Sequence, residues 1–492
     1  MAFIDGTVVN VALPALQREL SASLTDVQWV VEAYALFLAA LLLVGGAAGD
    51  RFGRRRVFLV GVVIFAAASA WCGLAVGVRQ LIVARAVQGV GAALLVPGSL
   101  AIISAAFDEQ RRGKAIGTWS GASALMAALG PVLGGFLIDH FSWRAAFFIN
   151  VPLAIAVVFL SFRHVPESAD PDARGAIDWK GGLVVTLGLA GIVYAMIEAA
   201  ETGWTNPAIL AALVAGVCGL VAFLWLEKRQ AQPMLPLALF RSGTFTGANL
   251  LTFLLYGALG GSLFFLPLAL IQVHRYSTTA AGAALLPFIL LMSLLSRWSG
   301  GLINRYGAQR PLIVGPIIVA LGFALFAVPG TGGNYWFTFF PAATVLGFGM
   351  AISVAPLTTA VLNAVDERFA GAASGINNAA SRVAALIAVA VFGLVMTPIF
   401  NRALDAELRV VSSPASVVAA VDQQRKRLAA IELPADIDPA AKDPAQIAIA
   451  RAFVSGFRAI MLLSAALALA AAASAWLLIS GTDRGSATTP SP

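Results

Sequence analysis

Long stretches without a single charged residue recur along this chain at nearly constant length. Runs of 22 such residues separate Arg56 from Arg79 and Arg85 from Asp108. A helix needs about 20 apolar residues to cross the hydrocarbon core of a bilayer. Only 12% of the residues are charged, whereas a soluble domain usually has about 25%. The pattern therefore predicts an integral membrane protein that crosses the bilayer many times.

These runs predict an all-α membrane protein with about fourteen transmembrane spans. The uncharged region between Arg310 and Asp366 is too long for one span, and the turn residues around Pro329 divide it in two. The predicted spans are residues 1–17, 28–49, 57–77, 81–105, 114–138, 145–162, 179–198, 207–227, 244–271, 280–302, 311–329, 336–361, 370–397 and 454–480.

Basic residues are distributed unequally between the loops on the two sides of the membrane. Short loops after even-numbered spans hold sixteen Lys and Arg, and those after odd-numbered spans hold four. Cytoplasmic loops are the ones enriched in these residues. We therefore expect a multi-pass protein of the cytoplasmic (inner) membrane with both termini in the cytoplasm.

An internal repeat divides the chain into two related parts. The segment Gly46–Arg56 aligns with Gly300–Arg310 at an offset of 254 residues, and Gly113 aligns with Gly371 at an offset of 258. Internal repeats are typical of secondary transporters, whose substrate site lies where the repeats meet. The spacing leaves room for two extra spans between the halves.

The expected organisation follows from these spans. The predicted parts are a six-helix half at 1–163, a linker with two extra transmembrane helices at 164–235, a second six-helix half at 236–482 with an outer loop at 398–453, and a disordered cytoplasmic tail at 483–492. The first span would be only about 25 Å long, short of the roughly 30 Å core. We therefore expect the natural chain to start upstream of Met1.

Four motifs occur on successive spans. They are Asp5–Pro14 in the first span, Gly46–Arg56 after the second, Arg85–Gly91 in the fourth and Gly130–Gly135 in the fifth. Together they resemble motifs of the major facilitator superfamily, and in detail those of its fourteen-span drug:proton antiporter branch. The resemblance covers nearly the whole chain. It implies two six-helix halves around a substrate site, and export driven by protons.

Three ionisable residues within spans are candidates for proton coupling: Asp5, Glu32 and Arg85. A charge at the bilayer centre costs about 2.5–3.5 kcal/mol on insertion scales, so each needs a reason. Glu32 either carries a proton or is wetted at the outer end of its span. The resemblance implies a functional carboxylate at Asp5 and a proton-transfer role for Arg85. The alternatives are a polar helix start for Asp5 and an arginine that snorkels to the outer interface.

The resemblance also implies a cytoplasmic latch and an antiporter helix. The latch residues would be Gly49, Asp50, Arg51, Gly53, Arg54 and Arg55, bonding across the bundle in one conformation. The antiporter residues would be Gly130, Pro131, Gly134 and Gly135. The alternatives are a loop whose arginines only set the topology, and a face of small residues that only packs closely.

Polar side chains inside the spans are candidates for lining a substrate cavity, because such stripes usually face the interior of a membrane bundle. These candidates are Tyr34, Gln88, Asn249, Tyr256, Asn377 and Asn378. Hydrogen bonds between neighbouring helices are the alternative role for them.

The leading hypothesis is a proton-coupled antiporter that exports amphipathic, hydrophobic or cationic small molecules. Its expected partners are the small-molecule substrate, protons and the lipid bilayer. Whether it also binds a periplasmic adaptor is left open by the sequence. We find no phosphate-binding loop, nucleophile–base pair or metal-ligand spacing, so we expect no enzyme activity, no cofactor, no metal and no nucleic acid. A transporter of a defined metabolite and a non-transporting receptor are the alternative hypotheses.

Overall fold

The computed structural model describes residues 1–107, 109–169, 178–230, 233, 235–366, 369–434 and 437–479. The predicted tail at 483–492 lies outside them. Fourteen long helices make up most of the described residues, and no strand occurs among them. In chain order they are α1 Ala2–Glu19, α2 Leu24–Phe52, α3 Arg54–Gly73, α4 Val78–Ala106, α5 Glu109–His140, α6 Ala145–Phe148 with Asn150–His164, α7 Trp179–Thr202, α8 Pro207–Arg229, α9 Gly243–Leu268, α10 Thr278–Ala283 with Leu286–Gly300, α11 Gln309–Phe326, α12 Tyr335–Asn363, α13 Ala370–Val410 and α14 Pro439–Leu478.

Twelve helices in the described part of the chain are long and apolar enough to cross a membrane. Each coincides with a predicted span, which confirms the all-α, multi-pass architecture. The other two predicted spans, 1–17 and 114–138, correspond to α1 and α5, which are not among the twelve. The count of fourteen spans therefore stays a prediction.

Polar caps fix where many of these helices begin. The Ser23 side chain accepts a hydrogen bond from the Asp26 backbone N–H, and the Asp26 carboxylate accepts one from the Ser23 backbone. The side chains of Asp178, Asn206 and Asn334 cap α7, α8 and α12 in the same way. The first N–H groups of a helix have no partner within the helix, so a cap at the membrane surface satisfies them.

The helices form two bundles, which we call the N-terminal bundle (α1–α6) and the C-terminal bundle (α9–α14). A Cβ atom at Gly91 of α4 would lie 2.6 Å from the backbone N of Phe65 on α3. A Cβ atom at Gly349 of α12 would lie 2.6 Å from the backbone N of Val319 on α11. The offsets are 349 − 91 = 258 and 319 − 65 = 254, the two values found in the sequence repeat. The same close helix crossing thus occurs once in each bundle, while the domain boundaries themselves stay predictions.

The extra helices α7 and α8 pack against each other and lie beside both bundles. Helix α7 contributes Leu189, Val193 and Ile197 to an apolar cluster that it shares with Leu36 of α2 and Leu386 of α13. The inserted pair therefore covers the line along which α2 and α13 meet.

We call the end of the molecule that carries Asp50–Arg56 the inner end and the opposite end the outer end. At the outer end, α13 continues to Val410 and α14 begins at Pro439, so the connection is shorter than the predicted loop at 398–453. It contains the short helix Ala415–Asp422 and the 3₁₀ turn Arg425–Ala430.

Candidate functional site

A buried ion pair lies at the centre of the N-terminal bundle. Arg85 Nη1 of α4 donates to Asp5 Oδ2 of α1 over 2.6 Å, and both side chains are almost fully buried. Gln88 Nε2 donates to Asp5 Oδ1 over 2.8 Å, and Asn150 Nδ2 of α6 donates to the same oxygen over 3.2 Å. Asp5 therefore accepts from three different side chains. Such hydrogen bonds are what allow a charged pair to persist in a buried site.

The guanidinium of Arg85 is equally well satisfied. Its Nη1 also donates to Gln88 Oε1 over 2.7 Å, and its Nε donates to the Val30 carbonyl of α2 over 3.1 Å. The centre of the guanidinium lies 4.3 Å from the ring centroid of Tyr34, a cation–π distance. Asp5 and Arg85, which the sequence placed on separate spans, thus form one cluster.

We predicted that Tyr34 and Gln88 line a substrate cavity, but in this structure they do not face an open cavity. The exposed fractions of their side chains are 6% and 0%. Tyr34 covers the Arg85 guanidinium, while Gln88 bonds to both members of the ion pair. Their polar atoms are needed where the two charges lie, since a buried charge without hydrogen-bond partners is costly.

Sequence reasoning missed two members of this cluster, Asn150 and Ser69. Asn150 Nδ2 donates to Asp5 and also to Ser69 Oγ over 3.1 Å, and the Ser69 hydroxyl donates to the Phe147 carbonyl. Asn150 is the one amide or charged residue of the predicted span 145–162, and it lies two residues before Pro152. That isolated position was the available signal, because polar groups inside membranes usually have a partner.

Glu32 lies on α2 outside this cluster, and its environment is different. It is 1% exposed, and its Oε2 atom has no hydrogen-bond partner in the described part of the chain. It follows Gln28 by four residues, so the two side chains share a face of α2. Gln28 Nε2 donates to the Val389 carbonyl of α13 over 2.8 Å, while Gln28 Oε1 also lacks a partner. Glu32 is therefore a buried carboxyl group on the face that meets the other bundle.

The predicted latch residues contact their own bundle. Arg54 pairs with Asp50 one turn earlier at 2.8 Å. The backbone N–H groups of Arg55 and Arg56 donate to the two carboxylate oxygens of Glu167, just after α6. Gly53 has φ +105° and ends α2. Gly49 is buried and Arg51 is exposed. The loop is thus docked on the end of α6, and Glu167, which the sequence analysis missed, is its anchor.

The antiporter helix packs against both bundles. A Cβ atom at Gly134 would lie 2.7 Å from Val8 Cγ1 of α1, and one at Gly135 would lie 2.5 Å from the Thr278 carbonyl O of α10. Gly130 faces Thr7 of α1 in the same way, and Pro131 is buried beside these glycines. The missing side chains let α5 approach α1 and α10 closely, so this face joins the bundles.

Amide groups connect α9 and α13 inside the C-terminal bundle. Asn377 Nδ2 donates to Thr252 Oγ1 over 2.6 Å and to Asn249 Oδ1 over 3.3 Å. Asn249 is 5% exposed, so these predicted cavity residues bond helix to helix. Tyr256 lies about two turns further along the same face of α9 and is half-buried. Asn378 is exposed, and its Nδ2 donates to the Ser374 carbonyl of its own helix over 3.0 Å.

The described hydrogen bonds between the two bundles cluster at the outer end. Gln272 Nε2 donates to Gln17 Oε1 over 2.7 Å. The Asp139 carboxylate accepts from the backbone N–H groups of Thr278 and Thr279 over 3.0 and 2.8 Å.

The outer connection adds a further contact at that end, because Arg427 Nη2 donates to the Gln17 carbonyl. Together these bonds hold the outer ends of the bundles together.

The polar side of α13 faces the space between the bundles. Gly375 and Val389 point to α2, as their contacts with Leu43 and Gln28 show. Asn377 points to α9. At 100° per residue, the exposed side chains of Ser374 and Asn378 fall in the arc between these two directions. We infer a cleft that opens at the inner end and is closed at the outer end.

Two related helical bundles with a polar cleft between them, and buried ionisable groups beside it, define a membrane transporter of the secondary class. The chain matches the family described as Major Facilitator Superfamily over residues 1–389 and belongs to it. It is a multi-pass transporter and not an enzyme.

Relatives of known designation support this assignment. The chain is 34% identical to the multidrug resistance protein Stp of Mycobacterium tuberculosis over 416 residues, which cover 84% of this chain and 77% of that protein. It is 35% identical to the tetracenomycin C resistance and export protein of Streptomyces glaucescens over 401 residues, 80% of this chain and 73% of that protein. It is 37% identical to the puromycin resistance protein of Streptomyces alboniger over 401 residues, 81% of this chain and 79% of that protein.

Solved structures share the fold at low sequence identity. A bacterial homologue of the human lysosomal transporter Spinster, in an inward-facing, unoccupied conformation, has a TM-score of 0.62 and 19% identity, covering 96% of this chain and 94% of that one. The nucleoside transporter NupG has a TM-score of 0.60 and 11% identity, covering 97% and 98%. These similarities show a common architecture.

Proposed function

We propose that this chain is a proton-coupled antiporter that exports small amphipathic molecules across the cytoplasmic membrane by alternating access. Two of the relatives are named for resistance to puromycin or for resistance to and export of tetracenomycin C, and a third for multidrug resistance. All three names share resistance, and one of them also names export. In this orientation the inner end faces the cytoplasm, so substrate enters the cleft from there.

The observation that carries the proton coupling is the unpartnered carboxyl group of Glu32 where the bundles meet. Two buried acceptors, Glu32 Oε2 and Gln28 Oε1, both lack a donor and lie one turn apart on one face of α2. A proton on Glu32 would supply the missing donor and remove the cost of an unpaired buried charge. Protonated Glu32 therefore favours the conformation in which α2 contacts α13 at the outer end.

Opening the outer end would separate Gln28 from Val389 and change the surroundings of Glu32. We propose that this movement admits protons from outside and that the return movement delivers them inside. Asp5 would be the second exchange site. In this conformation Arg85, Gln88 and Asn150 hold its carboxylate, so Asp5 would accept a proton only when the cluster rearranges.

The proton gradient is sufficient for such export. An inward-moving proton gains about 2.3 kcal/mol per 100 mV of membrane potential and about 1.4 kcal/mol per unit of pH difference. A tenfold concentration gradient of a neutral substrate costs about 1.4 kcal/mol. One proton per cycle therefore maintains a gradient of at least a hundredfold under these conditions.

The test is uptake into everted membrane vesicles with an imposed pH gradient. Glu32→Gln places a permanent donor beside Gln28 and removes the titratable group. We expect this variant to fold and to bind substrate, but to lose the acceleration of uptake by the pH gradient. Asp26→Asn is the matched control, because Asp26 lies on the same helix and its carboxylate only caps the helix.

The two variants separate the possible results. If Asp26→Asn keeps wild-type uptake and Glu32→Gln keeps only exchange of substrate down its gradient, Glu32 carries the coupling proton. If Glu32→Gln still accumulates substrate at the wild-type level in response to a pH gradient, the proposal that Glu32 carries the coupling proton is refuted.

A further inference from the structure

Arg382 is a further ionisable residue within a span. It is not part of the buried ion pair of Asp5 and Arg85. It lies twelve residues after the start of α13 at Ala370, which is about 18 Å along the helix. Gly375 and Val389, seven residues before and after it, both face α2. Seven residues are close to two full turns, so Arg382 lies on that same face, midway between them.

Arg382 lies at the deep end of the cleft. Further along α13, Gln28 of the N-terminal bundle donates to the Val389 carbonyl over 2.8 Å. The bundles are therefore closed just beyond Arg382. Towards the inner end, the exposed side chain of Asn378 follows one turn away on the same polar arc.

No carboxylate in the described part of the chain pairs with Arg382. Asp5 is occupied by Arg85. Arg382 as a whole residue is half-buried, so part of it is accessible. An arginine at this depth is costly, and no acidic partner among the described residues offsets that cost.

The chemistry of this position matches an anionic ligand group. A guanidinium presents parallel N–H donors that fit the two oxygens of a carboxylate. Asn378, four residues earlier on the same helix, supplies a further polar group beside it. An acidic group at the end of an otherwise apolar molecule would supply the missing counter-charge.

We infer that Arg382 is an anion-binding residue at the closed end of the cleft, and that the exported molecules carry a carboxylate or a comparably acidic group. The inference rests on the proposed export function and narrows its substrate class from amphipathic molecules in general to acidic ones. It departs from the expectation from sequence of hydrophobic or cationic molecules, because an uncompensated arginine repels cations.

The first experiment measures equilibrium binding to the purified chain in detergent, which is independent of proton coupling. The probes are pyrenebutyric acid, its methyl ester and the trimethylammonium analogue, three molecules with the same apolar body. At pH 7.5 we expect the wild type to bind the acid about tenfold to a hundredfold more tightly than the ester, and the ester more tightly than the cation. Arg382→Gln should reduce the preference for the acid to less than threefold, and Arg382→Lys should keep part of it.

A matched control removes another arginine of the C-terminal bundle. Arg458 of α14 bonds to the Val328 carbonyl, and Arg458→Gln should leave the preference unchanged. Equal affinities of the wild type for acid and ester, or no binding of the acid, would overturn the inference. An equal loss of affinity for all three probes in both Arg382 variants would show a structural role and overturn it too.

Uptake into everted vesicles then separates this inference from the proposed function. Arg382→Gln should still accumulate the ester in response to a pH gradient, but lose its preference for the acid. If the wild type binds the acid selectively but accumulates neither probe with a pH gradient, the proposed antiport fails and the anion site stands. If Arg382→Gln instead loses the pH dependence for the ester, Arg382 serves coupling and the anion-binding role is overturned.

Discussion

Two carboxyl groups of the N-terminal bundle are buried to the same degree but partnered in opposite ways. Asp5 and Glu32 are each 1% exposed. Asp5 accepts hydrogen bonds from Arg85, Gln88 and Asn150, whereas Glu32 Oε2 accepts none in the described residues. Burial alone therefore does not identify a proton carrier. The comparison supports the proposal that Glu32 is the carboxyl group that exchanges a proton in this conformation.

Their positions differ as sharply as their partners. The Asp5 cluster joins α1, α2, α3, α4 and α6, all helices of one bundle, so a movement of one bundle against the other does not by itself break it. Glu32 lies beside Gln28, whose side chain bonds to the other bundle. A change of charge at Glu32 therefore acts directly on the contact between bundles.

The largest effect is expected from removing the charge that balances Asp5. Arg85→Gln leaves a buried carboxylate without its counter-charge and should lower the free energy of unfolding by about 3–5 kcal/mol. Unfolding in mixed detergent at neutral pH measures this change. The double variant with Asp5→Asn should recover at least half of the loss. A single variant as stable as the wild type would show that the ion pair is not the organising feature of the bundle.

An intermediate effect is expected from Asn150, which touches Asp5 but carries no charge. Asn150→Leu removes one donor from Asp5 and one from Ser69, and should lower the free energy of unfolding by about 1–3 kcal/mol. The same unfolding assay applies, with Ser161→Ala of the same helix as the control. If Asn150→Leu has no effect, then Arg85 and Gln88 alone satisfy Asp5.

The smallest effect on stability is expected at Glu32, although its effect on transport is the greatest. Glu32→Gln has the same shape as the protonated acid and should change the free energy of unfolding at neutral pH by less than about 1 kcal/mol. A loss as large as that of Arg85→Gln would mean that Glu32 is an ionised structural partner, contrary to the comparison drawn above.

The helices could be predicted well from the sequence, because a segment that lipid surrounds must be nearly free of charged residues. The sequence also identified Glu32 and Arg85 as ionisable residues whose position in the membrane indicates a structural or functional role. It could not predict that Gln88 and Tyr34 belong to the ion pair, because that depends on how α1, α2 and α4 pack. Asn150 and Glu167 were missed for the same reason, since their partners lie 145 residues before Asn150 and about 112 residues before Glu167.

Helix α7 touches α2 on one side and α13 on the other, and the indole N–H of Trp29 ties it to α2 through Glu198 over 3.0 Å. If the bundles rock against each other, α7 cannot stay fixed to both. Its apolar contacts with either α2 or α13 must then slide in every transport cycle. The Trp29 tether makes the α13 side the one that slips. The inserted pair therefore covers the flank where α2 and α13 meet, whereas on the opposite flank α5 and α10 are in direct contact and need no cover.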